Sequence, residues 1–185
     1  MKKGVIFWCT GLSGSGKTTL ANHAKKDLEE TGISVMVVDG DKVRSSYKEK
    51  LGFGRNDIEK NNMHIVTICE TERKNYDVLI VPVISPIDEV RKITRKKLEP
   101  FYYSIYLSCD LNSLKNRDPK GLYDKAKKGE IANLIGYSPS NPYDVPMDAD
   151  FTLDTSSSST LEESKKAFGS FIIKKLSELG FLPRV

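Results

Sequence analysis

The eight residues Gly11-Leu12-Ser13-Gly14-Ser15-Gly16-Lys17-Thr18 constrain the fold of this chain more than any others. They match G-x-x-x-x-G-K-[ST], a loop that functions only between a strand and a helix. Both neighbours are present. An apolar run, Val5-Ile6-Phe7-Trp8-Cys9, leads in, and a helix-prone stretch over 18–31 leads out. Glycines let the backbone double back so that its N–H groups face one point, and a helix N-terminus behind them favours negative charge there. The pattern therefore predicts a nucleoside triphosphate site. Lys17 reaches the β- and γ-phosphates, the Thr18 hydroxyl takes a Mg²⁺ ion, and Gly11 through Gly16, with Thr19, line the donor.

The rest of the chain carries the same alternation. Strand-like runs at 5–10, 34–39, 78–84, 104–107 and 151–153 alternate with helical patterns at 18–31, 42–75 (a pair), 86–98, 111–117 and 161–179. This rhythm predicts an α/β fold of the P-loop NTPase class, a five-stranded parallel sheet flanked by helices. At 185 residues one domain is expected. Ligands of such sheets sit beyond the carboxyl ends of the strands. The loop at 11–18, the segment 39–44 and the turn Ile84-Ser85-Pro86 all fall there, so three loops are expected to meet at one site.

Residues 118–146 break the rhythm. Rich in Lys, Gly, Pro, Asn and Tyr, with no long periodic segment, they read as a lid over a ligand rather than a linker, for which Tyr123, Tyr137, Tyr143 and the lysines argue. The Ser/Thr tract at 155–160 reads as a loop ending in a helix cap.

The net charge of +4 is mild and the basic residues are spread along the chain, without an aromatic-interleaved stripe. Nucleic acid is therefore not an expected partner, and polyanionic small molecules explain the excess. No apolar stretch is long enough to span a membrane. Cys9, Cys69 and Cys109 are odd in number and far apart, as expected of small buried residues in a reducing compartment, so a cytoplasmic location is expected.

Asp39-Gly40-Asp41 ends the second strand-like run. Two carboxylates beside a phosphate loop can hold Mg²⁺ through water and accept a proton from an attacking hydroxyl. Asp39 also suits a helix-capping turn, Asp41 is the better candidate base, and Arg44 suits an anionic acceptor. His64, near Asn61, is a further candidate.

These segments resemble the adenylylsulfate (APS) kinase family. The resemblance rests on the phosphate loop, Asp39-Gly40-Asp41-Lys42-Val43-Arg44, Leu51-Gly52-Phe53, Asn61, Ile84-Ser85-Pro86 and Arg117-Asp118-Pro119-Lys120-Gly121-Leu122-Tyr123. They occur in order from Val5 to about Thr155. The resemblance implies a kinase similar to nucleoside monophosphate kinases, transferring the ATP γ-phosphoryl group to the 3′-hydroxyl of adenosine 5′-phosphosulfate in sulfate assimilation. It implies an acceptor pocket of Asp39, Asp41, Arg44, Phe53, Asn61, Ile84, Ser85 and Lys120, with Leu134 at a lid position. It also places Arg117 on the ATP adenine and allows a homodimer. Ser85 matches a serine described in the family as a phosphorylated intermediate. Direct in-line transfer needs no such step, and a hydrogen-bonding role suits Ser85 better.

The chain departs from the family pattern on the acceptor side. Ile58 stands where an arginine is usual, Met63 and His64 replace basic residues, and Lys42 replaces an asparagine. Leu134 replaces a phenylalanine that sandwiches the acceptor base with Phe53, and extra residues fall at 137–143. Losing an arginine opposite a buried anion costs about 2–5 kcal/mol, and losing one aromatic stack about 1 kcal/mol. Two acceptors remain open at this point: adenosine 5′-phosphosulfate, or another nucleotide with a modified phosphate, as in the similar cytidine diphosphoramidate kinases of capsule synthesis. A non-catalytic nucleotide switch would need the loop alone, whereas this chain carries a second set of elements.

Overall fold

The computed structural model describes residues 4–49 and 51–182. Its elements run β1 (Val5–Thr10), α1 (Lys17–Glu30), β2 (Val35–Val37), α2 (Gly40–Ser45), α3 (Arg55–Glu72) and β3 (Val78–Pro82). There follow α4 (Asp88–Leu98), β4 (Tyr102–Ser108), α5 (Leu111–Arg117), α6 (Leu122–Lys127), β5 (Phe151–Asp154) and α7 (Leu161–Glu178). The five strands form one sheet in the order β2-β3-β1-β4-β5, and every pairing is parallel. β1 is central, with Phe7 opposite Ile80 on one side and Tyr103 on the other. All six of its residues are buried, as a strand covered on both faces requires.

Alternation along β1 divides the core. Val5, Phe7 and Cys9 pack with Leu20, Ala24 and Leu28 of α1 and with Phe168, Ile172 and Leu176 of α7. Ile6 and Trp8 point to the opposite face, where they meet Ile65, Val66 and Cys69 of α3 and Leu98 of α4. The period-2 pattern of the strand thus assigns each neighbour to its layer. A third, smaller cluster of Leu114, Tyr123 and Leu134 joins α5 to the lid.

Several boundaries differ from the sequence expectation. β2 is shorter, because Asp39 leaves the sheet to cap α2, accepting hydrogen bonds from the N–H groups of Asp41 and Lys42 at 2.9 and 3.3 Å. The lid contains a helix, α6, too short at 6 residues to show periodicity. β4 begins at Tyr102, where the aromatics pack on both faces. Thr160 does cap α7, in a reciprocal box with Glu163. Cys9 and Cys69 are buried, and burial pushes the Cys69 thiol up to about 12. Cys109 is only half-buried, with its sulfur 3.5 Å from the Thr155 carbonyl. Among the described residues no helix is long and apolar enough to cross a membrane.

Candidate active site

The chain leaves β1 and turns through Gly14 and Gly16 at φ 82° and 89°, a left-handed region that side chains avoid. Gly16 opens α1, and no side-chain hydrogen bond caps that helix, so its first-turn N–H groups face the loop's concavity. Lys17 curls back over the loop, and its Nζ donates to the carbonyls of Gly11 at 2.8 Å and Leu12 at 2.7 Å. Burial lowers its pKa to about 8, Asp41 opposes that shift, and Lys120 adds to it. Thr18 Oγ1 donates to Asp39 Oδ2 at 3.0 Å, so Asp39 both caps α2 and holds the Thr18 hydroxyl.

A cavity of about 1080 Å³ opens at the carboxyl ends of the strands. Its wall includes Ser13 through Leu20, then Asp41, Arg44, Phe53 and Ile84, with Arg117, Lys120 and Leu134 from the lid side. The volume stands at the upper end of the range of ligand pockets. Lys120 makes an ion pair with Asp41 across the cavity mouth. The Arg44 guanidinium lies 5.0 Å from the centre of the Phe53 ring, and its Nη1 donates to Gly52 O at 2.6 Å. Arg117 donates to the Cys109 sulfur at 3.7 Å.

Three of the sequence candidates, Asp39, Asn61 and Ser85, are buried and form no part of this wall. Ser85 sits at φ 44°, a strained conformation for a residue with a Cβ, and such strain persists where surrounding contacts impose it. Its hydroxyl and the Asn61 side-chain oxygen are buried without a hydrogen-bond partner among the described residues. Ile58 is also buried within α3 and lines no part of the cavity, whereas Leu134 does. His64 is exposed, lies away from the wall, and pairs with Tyr47 at 3.0 Å. Lys42 is exposed and outside the wall as well.

The lid tyrosines stand outside the cavity wall, and each packs against protein. Tyr123 OH donates to the Ser13 carbonyl at 2.9 Å, Tyr137 meets the edge of Tyr123, and Tyr143 stacks on Tyr106. Their hydroxyls and rings fasten the lid to the loop and the sheet, and the space under it is lined by other side chains. Sequence reasoning also missed Arg91, Asn141 and Thr10, which join the lid to Phe53 and to the turn at 84–86. Arg91 is one of several basic residues on a cationic helix, and no local signal separates it from the others.

A phosphate-binding loop, a carboxylate and cations facing it, and a lid over one shared cavity define a P-loop phosphotransferase with a donor and an acceptor side. Comparison with known proteins narrows that class. Residues 3–154 match the family model described as adenylylsulphate kinase. The adenylyl-sulfate kinase of Bacillus pumilus is 40% identical over 174 residues, covering 94% of this chain and 87% of that protein. The probable adenylyl-sulfate kinase of Pyrococcus abyssi is 36% identical over 181 residues, covering 98% and 99%. The solved structure of Mycobacterium tuberculosis APS kinase in complex with AMPPNP and APS superposes with a TM-score of 0.82 at 31% identity, over 96% of this chain and 99% of that one. The chain belongs to the adenylylsulphate kinase family.

Proposed function

We propose that the protein phosphorylates adenosine 5′-phosphosulfate at its 3′-hydroxyl with ATP. One observation carries the reading: the phosphate loop and the acceptor elements around Asp41, Arg44, Phe53 and Ile84 wall a single cavity in a member of this family. The donor lies along Gly11, Leu12, Ser13, Gly14, Ser15, Gly16, Lys17, Thr18 and Thr19, with Arg117 beside its base. The acceptor lies against Arg44, Phe53, Ile84 and Leu134, and buried Asp39, Asn61 and Ser85 support that side. Family membership favours this acceptor over cytidine diphosphoramidate, since relatives 36–40% identical over nearly the whole chain are adenylyl-sulfate kinases by name.

In this reaction Asp41 takes the proton of the 3′-hydroxyl as its oxygen bonds to the γ-phosphorus, and the bond from that phosphorus to ADP breaks. Lys17 holds positive charge against the transferring group. Lys120, released from Asp41, meets the acceptor's anionic tail. The residues present also suit a Mg²⁺ ion. Thr18 Oγ1 and Asp39 Oδ2 stand 3.0 Å apart as hard oxygen donors, and Asp41 would take part through water. Among the described residues no set of three acidic, His or Cys side chains is arranged for a metal, so the ion would take its other ligands from phosphate and water. When bound, Mg²⁺ neutralises developing phosphate charge. The free cysteines, buried Cys9 and Cys69 and half-buried Cys109, suit a reducing cytoplasm, where we place the enzyme.

The test is ADP release from Mg-ATP across a panel of acceptors: adenosine 5′-phosphosulfate, cytidine diphosphoramidate, and plain nucleoside mono- and diphosphates. The phosphosulfate is expected to give the highest kcat/KM, and a higher value for any other acceptor would overturn the assignment. Asp41→Asn is expected to lower kcat by about 10²–10⁴-fold, the range of a lost general base. Turnover near that of the unaltered enzyme would remove Asp41 from this role.

A further inference from the structure

The return segment of the lid, residues 141–144, meets three acceptor-side elements at once. Asn141 Nδ2 donates to Phe53 O at 3.2 Å, and Asp144 N donates to Pro86 O at 2.8 Å. Asp144 Oδ2 accepts from Asp88 N at 3.0 Å. Tyr143 OH lies 2.8 Å from Thr10 Oγ1. The Thr10 hydroxyl has one proton, and it is spent on Ile84 O at 2.5 Å. Tyr143 must therefore donate to Thr10, giving a one-way chain from the lid through β1 to the turn Ile84-Ser85-Pro86.

Arg91 closes the same circuit from α4. It is buried, and its Nη1 donates to Ser85 O at 2.8 Å. Its Nη2 donates to Asp144 O at 2.7 Å and to Asp88 Oδ1 at 3.1 Å. Its guanidinium also lies 5.8 Å from the centre of the Tyr143 ring. One planar fork thus ties the carbonyl of strained Ser85 to the backbone of the lid. A lysine has a single ammonium and cannot span those acceptors in that geometry.

We propose that Arg91 and Tyr143 are positioning residues for the acceptor. Together they hold the 84–86 turn in its left-handed shape, and so make acceptor recognition depend on a seated lid. The inference rests on the acceptor-side assignment above. Neither residue lines the cavity, so both act through Ser85 and Ile84 rather than on the substrate. The donor loop has its own lid contact through Tyr123 and should not feel the change.

The experiment compares Arg91→Lys and Tyr143→Phe with the unaltered enzyme, using whichever acceptor of the panel drives ADP release. Arg91→Lys is expected to raise the acceptor KM tenfold or more while the KM for ATP stays within about twofold. Tyr143→Phe is expected to raise the acceptor KM about threefold, and the double variant less than the product of the two, because both act on one turn. Equal rises in both KM values, or none in either, would overturn the proposal. Hydrogen exchange provides a readout independent of acceptor identity. The segment 83–90 should exchange faster in Arg91→Lys while 11–18 is unchanged, and unaltered exchange at 83–90 would also overturn it. If adenosine 5′-phosphosulfate gives no ADP in the unaltered enzyme, the proposed function fails alone and the exchange result still decides Arg91. Tyr143→Phe removes only a hydroxyl, so it decides the matter if Arg91→Lys does not fold.

Discussion

Burial lowers the Lys17 pKa to about 8, so the free enzyme carries this charge below that pH and loses it above. Polyphosphate prefers the ammonium form, so binding draws the pKa back up and takes up a proton on the alkaline side. We expect kcat/KM for ATP to fall as pH rises past about 8, and calorimetry in buffers of different ionisation heat to detect that proton; a flat profile through this region would refute the argument. Leu134 and Ile58, both departures from the family pattern, separate in space. Leu134→Phe adds an aromatic face to the wall of the cavity that Phe53 also lines. It is expected to lower the KM for the phosphosulfate about fivefold, roughly the 1 kcal/mol of one stack. Ile58→Arg instead forces a guanidinium into a site that is 4% exposed, so loss of stability is expected rather than a repaired pocket. Thermal melting and the KM of each variant separate the two outcomes.

At the scale of elements, the lid is a strap pinned at both ends. Tyr123 fixes its start to the phosphate loop and Tyr143 fixes its return to β1. The Gly136 turn sits at φ 72° against Leu12, where an added Cβ would lie 2.2 Å from a methyl carbon. Tyr123→Phe removes one hydrogen bond, about 1 kcal/mol net. The expected result is a KM for ATP about fivefold higher, with faster proteolytic cutting within 118–146. An unchanged KM and cutting rate would show that this anchor does not set the lid. The strand–loop–helix unit at the start of the chain was readable because its residues are contiguous and each step is local. Helix α6 was not, since one and a half turns leave no period to detect. The end of β2 was also misjudged, because the apolar run continues while the cap geometry of Asp39 turns the chain away.

Over the whole molecule, the two faces of β1 tie the site to the core. α1 starts at the phosphate loop and packs with α7 through Leu20, Leu28, Phe168 and Ile172. Phe168→Ala is expected to cost about 3–5 kcal/mol through cavity formation, read by denaturant unfolding, and a loss below about 1 kcal/mol would show that this layer carries little. The family, the parallel sheet and the strand–loop–helix geometry of the phosphate loop followed from sequence alone, because such a loop is a local object whose glycines, lysine and flanking elements are adjacent in the chain. Tertiary structure decided which distant segments meet across the cavity and the lid. Asp41 meets Lys120 across 79 residues and Tyr143 reaches Thr10 across 133. Contacts of that separation leave no period or spacing in the sequence. They exist only after the sheet has ordered the loops along its edge, which is why the part the lid tyrosines play as its fastenings is visible only in the folded chain.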